Sequence, residues 1–116
     1  MKRTFVAVSL TLLAGMALAA PSAAGKRGEA FYHQQFANND KMPACASCHT
    51  DNPLKTGRHA VTGKDIRPLA PAANPERLSD AAKVEKWFGR NCKEVVGRAC
   101  TADEKADFLA YLNEVR

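Results

Sequence analysis

Behind a basic Met1-Lys2-Arg3 start, the chain is apolar from Phe5 to Ala20 apart from Ser9, Thr11 and Gly15, and the run ends in small residues. This pattern predicts a secretory signal peptide over residues 1–19, cut after Ala17-Leu18-Ala19, with Ser22-Ala23-Ala24 as a second cleavage site. Residues 20–116 then form one mature domain. The apolar run falls short of the roughly 20 residues a membrane span needs, so a retained anchor is the lesser reading and no span is expected after processing. Next, Gly25 to Asn38 is free of proline and carries Gly28, Phe31, Tyr32 and Phe36 at helical spacing, which predicts one amphipathic helix. From Thr50 to Asn74 there is little apolar periodicity, with Pro53, Pro68, Pro71, Gly57 and Gly63 as punctuation. A loop of this length in a compact domain is unusual unless it is functional or wrapped around something.

Further on, Ser79 offers an N-cap and Asp80 sits in the first turn, where a helix dipole favours it. Val84, Trp87, Phe88 and Asn91 follow at i, i+3, i+4 and i+7, placing three large apolar groups and one amide on a single helix face. Gly97 breaks this element. Thr101-Ala102-Asp103-Glu104 reads as a capping box, and Phe108, Leu109 and Leu112 form the stripe of a last helix, flanked by Tyr111. The predicted fold class is all-α.

The chemistry lies between the first helix and the long loop, in Cys45-Ala46-Ser47-Cys48-His49. Two thiols at this spacing can add across the vinyl groups of one haem while the adjacent imidazole becomes the proximal iron ligand, which makes haem c the expected cofactor, held through Cys45 and Cys48. A thioredoxin-like redox pair needs a strand before it, and half of a zinc site needs a second close cysteine pair. The preceding Asn38-Asn39-Asp40-Lys41-Met42-Pro43 is turn-rich, and the remaining cysteines, Cys92 and Cys100, are eight positions apart. A haem edge is a suitable object for the long loop to wrap. There, Lys55, Arg58, Lys64 and Arg67 outnumber Asp51 and Asp65, so Lys64 and its neighbours are placed to pair with propionates or to face an acidic partner, the alternative being a solvated loop of mixed charge.

At 116 residues there is room for one domain, and a chain this small usually needs a staple. Covalent haem is one, and an oxidising compartment permits a second through Cys92 and Cys100. Losing Lys2 and Arg3 with the signal lowers the formal charge of +5 by two, and nothing in the remainder points to nucleic-acid binding.

For the other side of the iron the chain lacks a downstream methionine. Met1 and Met16 leave with the signal, and Met42 lies three residues before Cys45. His33, His59, a lysine, Asn91 and an open site remain. Asn91 is favoured by position, as the polar group in line with Val84, Trp87 and Phe88, where a buried amide needs a partner. The competing reading makes it a helix C-cap.

Four stretches carry a resemblance. Val84-Glu85-Lys86-Trp87-Phe88-Gly89-Arg90-Asn91-Cys92, with Val96-Gly97-Arg98-Ala99-Cys100-Thr101 and Glu104-Lys105-Ala106-Asp107, closely resembles the sphaeroides haem protein family, as does Thr62-Gly63-Lys64-Asp65-Ile66-Arg67-Pro68-Leu69-Ala70-Pro71. Glycine four residues before an aromatic, Gly28 before Tyr32, is similar to the N-terminal helix of class I cytochromes c, where it lets a C-terminal helix cross closely. The resemblance implies a periplasmic monohaem protein with a cytochrome c-like helical fold wrapped around one covalent haem. It further implies His49 and Asn91 as metal ligands and a Cys92–Cys100 disulfide, while Trp87 and Phe88 are expected against the cofactor from the helical face they share with Val84. In that family the asparagine leaves the iron on reduction and O2 or NO can enter. The related cytochrome c″ type has histidine at this position; the present chain has Asn91.

The function expected from these residues is single-electron acceptance, from an electron-donor cytochrome of the dihaem kind that the resemblance implies, coupled to binding of O2 or NO. A catalytic haem protein turning over O2, NO or peroxide is the alternative, and a thiol-disulfide protein without haem is the third reading.

Overall fold

A computed structural model describes Gly15 and residues 19–116. The expected signal peptide therefore lies, apart from Gly15 and Ala19, outside the described residues. In chain order the elements are α1 (Ala23–His33), α2 (Ala46–His49), β1 (Gly57–Arg58), β2 (Asp65–Ile66), α3 (Ala81–Asn91), a π turn (Cys92–Val96) and α4 (Ala102–Glu114). Among the described residues no helix is long and apolar enough to cross a membrane.

The core is the crossing of α1 over α4. Tyr32, Phe108, Tyr111 and Leu112 form its buried centre, with Phe31, Leu69, Leu78, Phe88 and Val115 packed around it. Tyr32 and Leu112 are fully buried, and each such side chain contributes roughly 1.5–3 kcal/mol relative to exposure. Gly28 makes the crossing possible: a Cβ there would overlap the carbonyl oxygen of Asp107 and crowd the Cβ of Tyr111. The close approach expected of this glycine is what the structure has. Arg27 fixes the crossing from outside, its Nε and Nη2 each donating to the Asp107 carboxylate at 2.8 Å. At the other end the Ser22 hydroxyl accepts from Gly25 N–H at 2.9 Å and donates to Glu114, tying the start of α1 to the end of α4.

Three expectations need correction. The first helix spans Ala23–His33, not 25–38. It stops because Gln34 turns extended and Phe36 N–H donates to the Pro43 carbonyl at 2.7 Å, folding the chain back so that Phe36 meets Phe31 edge-on. The N-cap of α3 is Asp80, which accepts from Lys83 N–H at 3.1 Å, whereas the Ser79 hydroxyl donates to the Glu76 carbonyl. Tyr111 is a core residue and Leu109 is only partly buried, since α4 turns the tyrosine toward Gly28 and Tyr32.

The expected loop contains a small hairpin, with Gly57 opposite Ile66 and Arg58 opposite Asp65. Its tip is closed by backbone bonds His59 N–H to Lys64 O and Gly63 N–H to His59 O, Gly63 adopting φ +70°. His59 Nδ1 accepts from the Val61 and Thr62 amides at 3.2 and 3.1 Å. Two residues per strand carry too little alternation to announce a sheet.

The capping box is present as expected. Thr101 Oγ1 accepts from Glu104 N–H at 3.1 Å and Glu104 Oε1 accepts from Thr101 N–H at 2.8 Å. The Arg98 guanidinium also donates to both Glu104 oxygens at 2.7 and 2.9 Å. Arg98 first, and the Thr101 amide after it, hold the Glu104 carboxyl down at about 2 against partial desolvation. A carboxyl with a depressed folded pKa contributes stability that is complete above its ordinary 4.5 and is lost as the pH falls toward about 2. Thermal unfolding of Glu104→Gln should accordingly show a flatter acid limb over that window than the parent; an identical limb would contradict the assignment.

Candidate functional site

The Cys45–His49 segment is one turn of helix wound about a single carbonyl. Cys48 N–H and His49 N–H both donate to Cys45 O, at 3.3 and 3.2 Å, and the Ser47 hydroxyl accepts from Ala44 N–H. At i, i+3 and i+4 the two thiols and the imidazole share one side of this turn. Immediately afterwards Thr50 takes φ +64°, rare for a β-branched residue. It is held by the buried core, for the Tyr32 hydroxyl donates to the Thr50 carbonyl, while the Thr50 side chain bonds both backbone groups of Asn52.

On the outer side the hairpin closes over the motif. A Cβ at Gly57 would overlap the carbonyl of Cys48, and Ala60 N–H donates to Cys48 Sγ at 3.4 Å. Pro53 is fully buried, and its carbonyl accepts from Leu69 N–H and Ala70 N–H, clipping the two halves of the loop together. Arg77 donates to the carbonyls of Pro68 and Arg67, and buried Asn74 donates to Pro68 and accepts from Arg67. This Arg77–Asn74 brace escaped the sequence reading. The Asn74-Pro75 pair is a turn signal, but the buried amide arises only when the loop folds back on itself.

The electrostatics suit ligation. Burial first, and the nearby Arg77 cation second, push the His49 imidazole down to about 4, so it is neutral and has a lone pair to give at physiological pH. Burial raises the Cys45 thiol to about 11, leaving it protonated. Neither Cys45 nor Cys48 is in a disulfide, whereas Cys92 and Cys100 are joined, with Cα atoms 5.7 Å apart. Among the described residues no three His, Cys, Asp or Glu side chains gather as a metal cluster.

Of the residues on the expected α3 face, Phe88 packs edge-on against Phe108 at 5.6 Å between centroids and has Lys105 over it. Trp87 is 44% exposed and carries the Arg90 guanidinium 5.7 Å above its ring. Asn91 is exposed, not the buried amide expected from its helical face, because that end of α3 has no element packed over the side chain, and it is no C-cap. Its backbone stays right-handed helical, its side chain makes no capping bond, and the helix runs on through the π turn to Gly97 at φ +86°. Lys64 is exposed on the hairpin; its carbonyl takes the His59 amide. Arg58 pairs with Asp65 at 3.4 Å and Arg67 with Glu76 at 3.4 Å, so part of the loop's positive charge is neutralised locally.

Two unbridged thiols and a neutral imidazole on one turn form a donor set that fits a covalently held haem. Comparison with known proteins points the same way. Residues 18–112 match the family described as "Domain of unknown function (DUF1924)". The chain is 48% identical over 103 residues to "Cytochrome c-type protein SHP" of Cereibacter sphaeroides, covering 87% of this chain and 79% of that protein. The chain belongs to the sphaeroides haem protein family.

The family's solved structure of oxidised SHP, described as "an oxygen binding cytochrome c", superposes with TM-score 0.73 at 46% identity, over 76% of this chain and 79% of that one. Cytochrome c″ of Methylophilus methylotrophus is 46% identical over 86 residues, 73% of this chain and 60% of that protein. Its oxidised crystal structure matches with TM-score 0.71 at 42% identity, over 84% of this chain and 78% of that one. The mostly helical cytochrome fold expected from the sequence is thereby established, and with it a c-type cytochrome that attaches haem covalently.

Proposed function

We propose that the protein is a periplasmic monohaem cytochrome in which Cys45 and Cys48 hold the haem, His49 is the proximal ligand, and Asn91 is a sixth ligand that leaves on reduction to admit O2 or NO. The observation that carries this reading is the state of Asn91: a helical amide with no capping bond on the exposed face of α3, in a chain whose Met42 is buried in the fold. The haem supplies the one-electron couple and the iron at which a diatomic gas is held.

The rest is the chain's own work. His49 is kept neutral and in place by burial and by the strained turn at Thr50. The amide oxygen of Asn91 is a hard, weak donor, better matched to Fe(III) than to softer Fe(II), so a bond from it to haem iron would weaken on reduction. Once released, its NH2 is a hydrogen-bond donor for an incoming diatomic. The oxygen binding in the description of oxidised SHP supports this for the present chain. An exported maturation route, with residues 1–19 removed, fits an oxidised Cys92–Cys100 pair. The electron source is a donor cytochrome, of the dihaem kind.

Carrier or sensor is favoured over catalyst. Arg90 is stacked on Trp87 and paired with Glu94, and Arg98 is engaged by Glu104, so neither is free for peroxide chemistry. Optical spectra of the oxidised and dithionite-reduced holoprotein, with and without CO, test the reading. A six-coordinate ferric form and a five-coordinate, high-spin ferrous form that takes CO rapidly are expected. A ferrous form that stays six-coordinate and refuses CO would overturn it.

A further inference from the structure

The π turn that begins one residue after Asn91 is held from an unexpected direction. Its i to i+5 bond, Gly97 N–H to Cys92 O at 3.0 Å, closes the turn, but the helix ends there and the carbonyls of Lys93 and Glu94 have no continuing backbone to serve. The Asn38 amide serves them instead, donating to Glu94 O at 2.9 Å and, more weakly, to Lys93 O at 3.4 Å. Gly97 makes room for it, since a Cβ there would overlap the Asn38 side chain.

Asn38 is in turn part of a closed loop that leads straight into the haem-attachment cysteines. Phe36 N–H donates to Pro43 O, Asn39 Oδ1 accepts from the Lys41 and Met42 amides, and Met42 and Ala44 are buried immediately before Cys45. Among the described residues, the side-chain hydrogen bonds from this loop to the π turn come from Asn38 and its neighbour Asn39. The Cys92–Cys100 disulfide does not do this job, because both its ends lie on the Asn91 side of the molecule. π turns inside helices recur at functional sites, where the extra residue leaves the ladder adjustable.

We propose that Asn38 is a positioning residue: it latches the π turn to the attachment loop and so sets how readily Asn91 leaves the iron. The inference rests on the proposed ligation by Asn91. A ferric protein whose ligand is off for a larger fraction of the time binds an added anion more tightly by that fraction. One lost charge-neutral hydrogen bond corresponds to about a 3- to 10-fold change in the open fraction.

The test uses ferric holoprotein and azide. Asn38→Ala and Asn38→Asp, which keeps the shape but cannot donate, should each raise azide affinity about 3- to 10-fold. CO affinity of the reduced form should not move, because Asn91 is already released there. Amide hydrogen exchange at Val95 to Gly97 should quicken in both variants, and Asn38→Gln should restore part of the protection. In an Asn91→Ala background, Asn38→Ala should add nothing to azide affinity.

If Asn91→Ala opens the ferric site while both Asn38 variants leave azide affinity at the parental value, the latch is wrong and the ligand assignment stands. Should Asn91→Ala itself leave azide affinity unchanged, the ligand assignment falls and the positioning role falls with it. A simple loss of stability would alter ferric and ferrous binding alike, and would equally overturn the proposal.

Discussion

Asn91→Ala should let the ferric protein bind azide at least about tenfold more tightly, the factor expected when a competing internal ligand that is mostly engaged is removed. The reduced spectrum should hardly change. Asn91→His should instead keep the oxidised iron low-spin, since imidazole is a stronger donor. His59→Ala is the control. His59 is the histidine candidate on the loop, but its Nδ1 already accepts from the Val61 and Thr62 amides and closes the hairpin tip. Its removal should loosen the hairpin and leave ferric azide affinity alone. If His59→Ala opens the ferric site while Asn91→Ala does not, the sixth ligand has been assigned to the wrong residue.

Gly28→Val should destabilise the fold by about 3 kcal/mol or more, at or above the upper end of what overpacking a well-packed contact costs. The added atoms would meet the Asp107 backbone carbonyl, not the end of a flexible side chain, so relief requires α1 and α4 to separate. Separation would disturb the Arg27–Asp107 pair and the packing of Tyr32 on Tyr111. It would also slacken the Tyr32 hydroxyl's hold on Thr50, one residue past His49. Ala30→Val, on the exposed face of the same helix, should cost only about 0.5 kcal/mol, the helix-propensity difference. Denaturant unfolding of the two holoproteins would separate them, and equal losses would show that the close crossing is not what Gly28 secures.

Much of the site was legible because it is local. The attachment turn, the capping box at Thr101 and Glu104, and the close approach at Gly28 follow from side chains within a few positions of each other or from a residue whose small size has one use. Where reading failed, the deciding partner was distant. The first helix ends at His33 because Pro43 receives the Phe36 amide; Tyr111 enters the core because Gly28 admits it; the loop becomes a hairpin because α2 lies beneath Gly57. Phe88 shares its helical face with Asn91 by spacing, yet its ring meets Phe108 on α4.

By itself the sequence determined the cofactor chemistry, for two thiols and an imidazole on one turn need nothing beyond that turn to share a side. It also determined the kind of fold, since α1 and α4 are specified by spacing, caps and one glycine. Only the tertiary structure decided that Asn91 is not a cap, because that depends on the helix continuing into a π turn whose end carbonyls are met by Asn38, a residue 56 positions from Glu94. Such a contact leaves no periodicity behind. It exists because unpaired carbonyls at a helix end must find a donor, and the donor within reach was supplied by the fold.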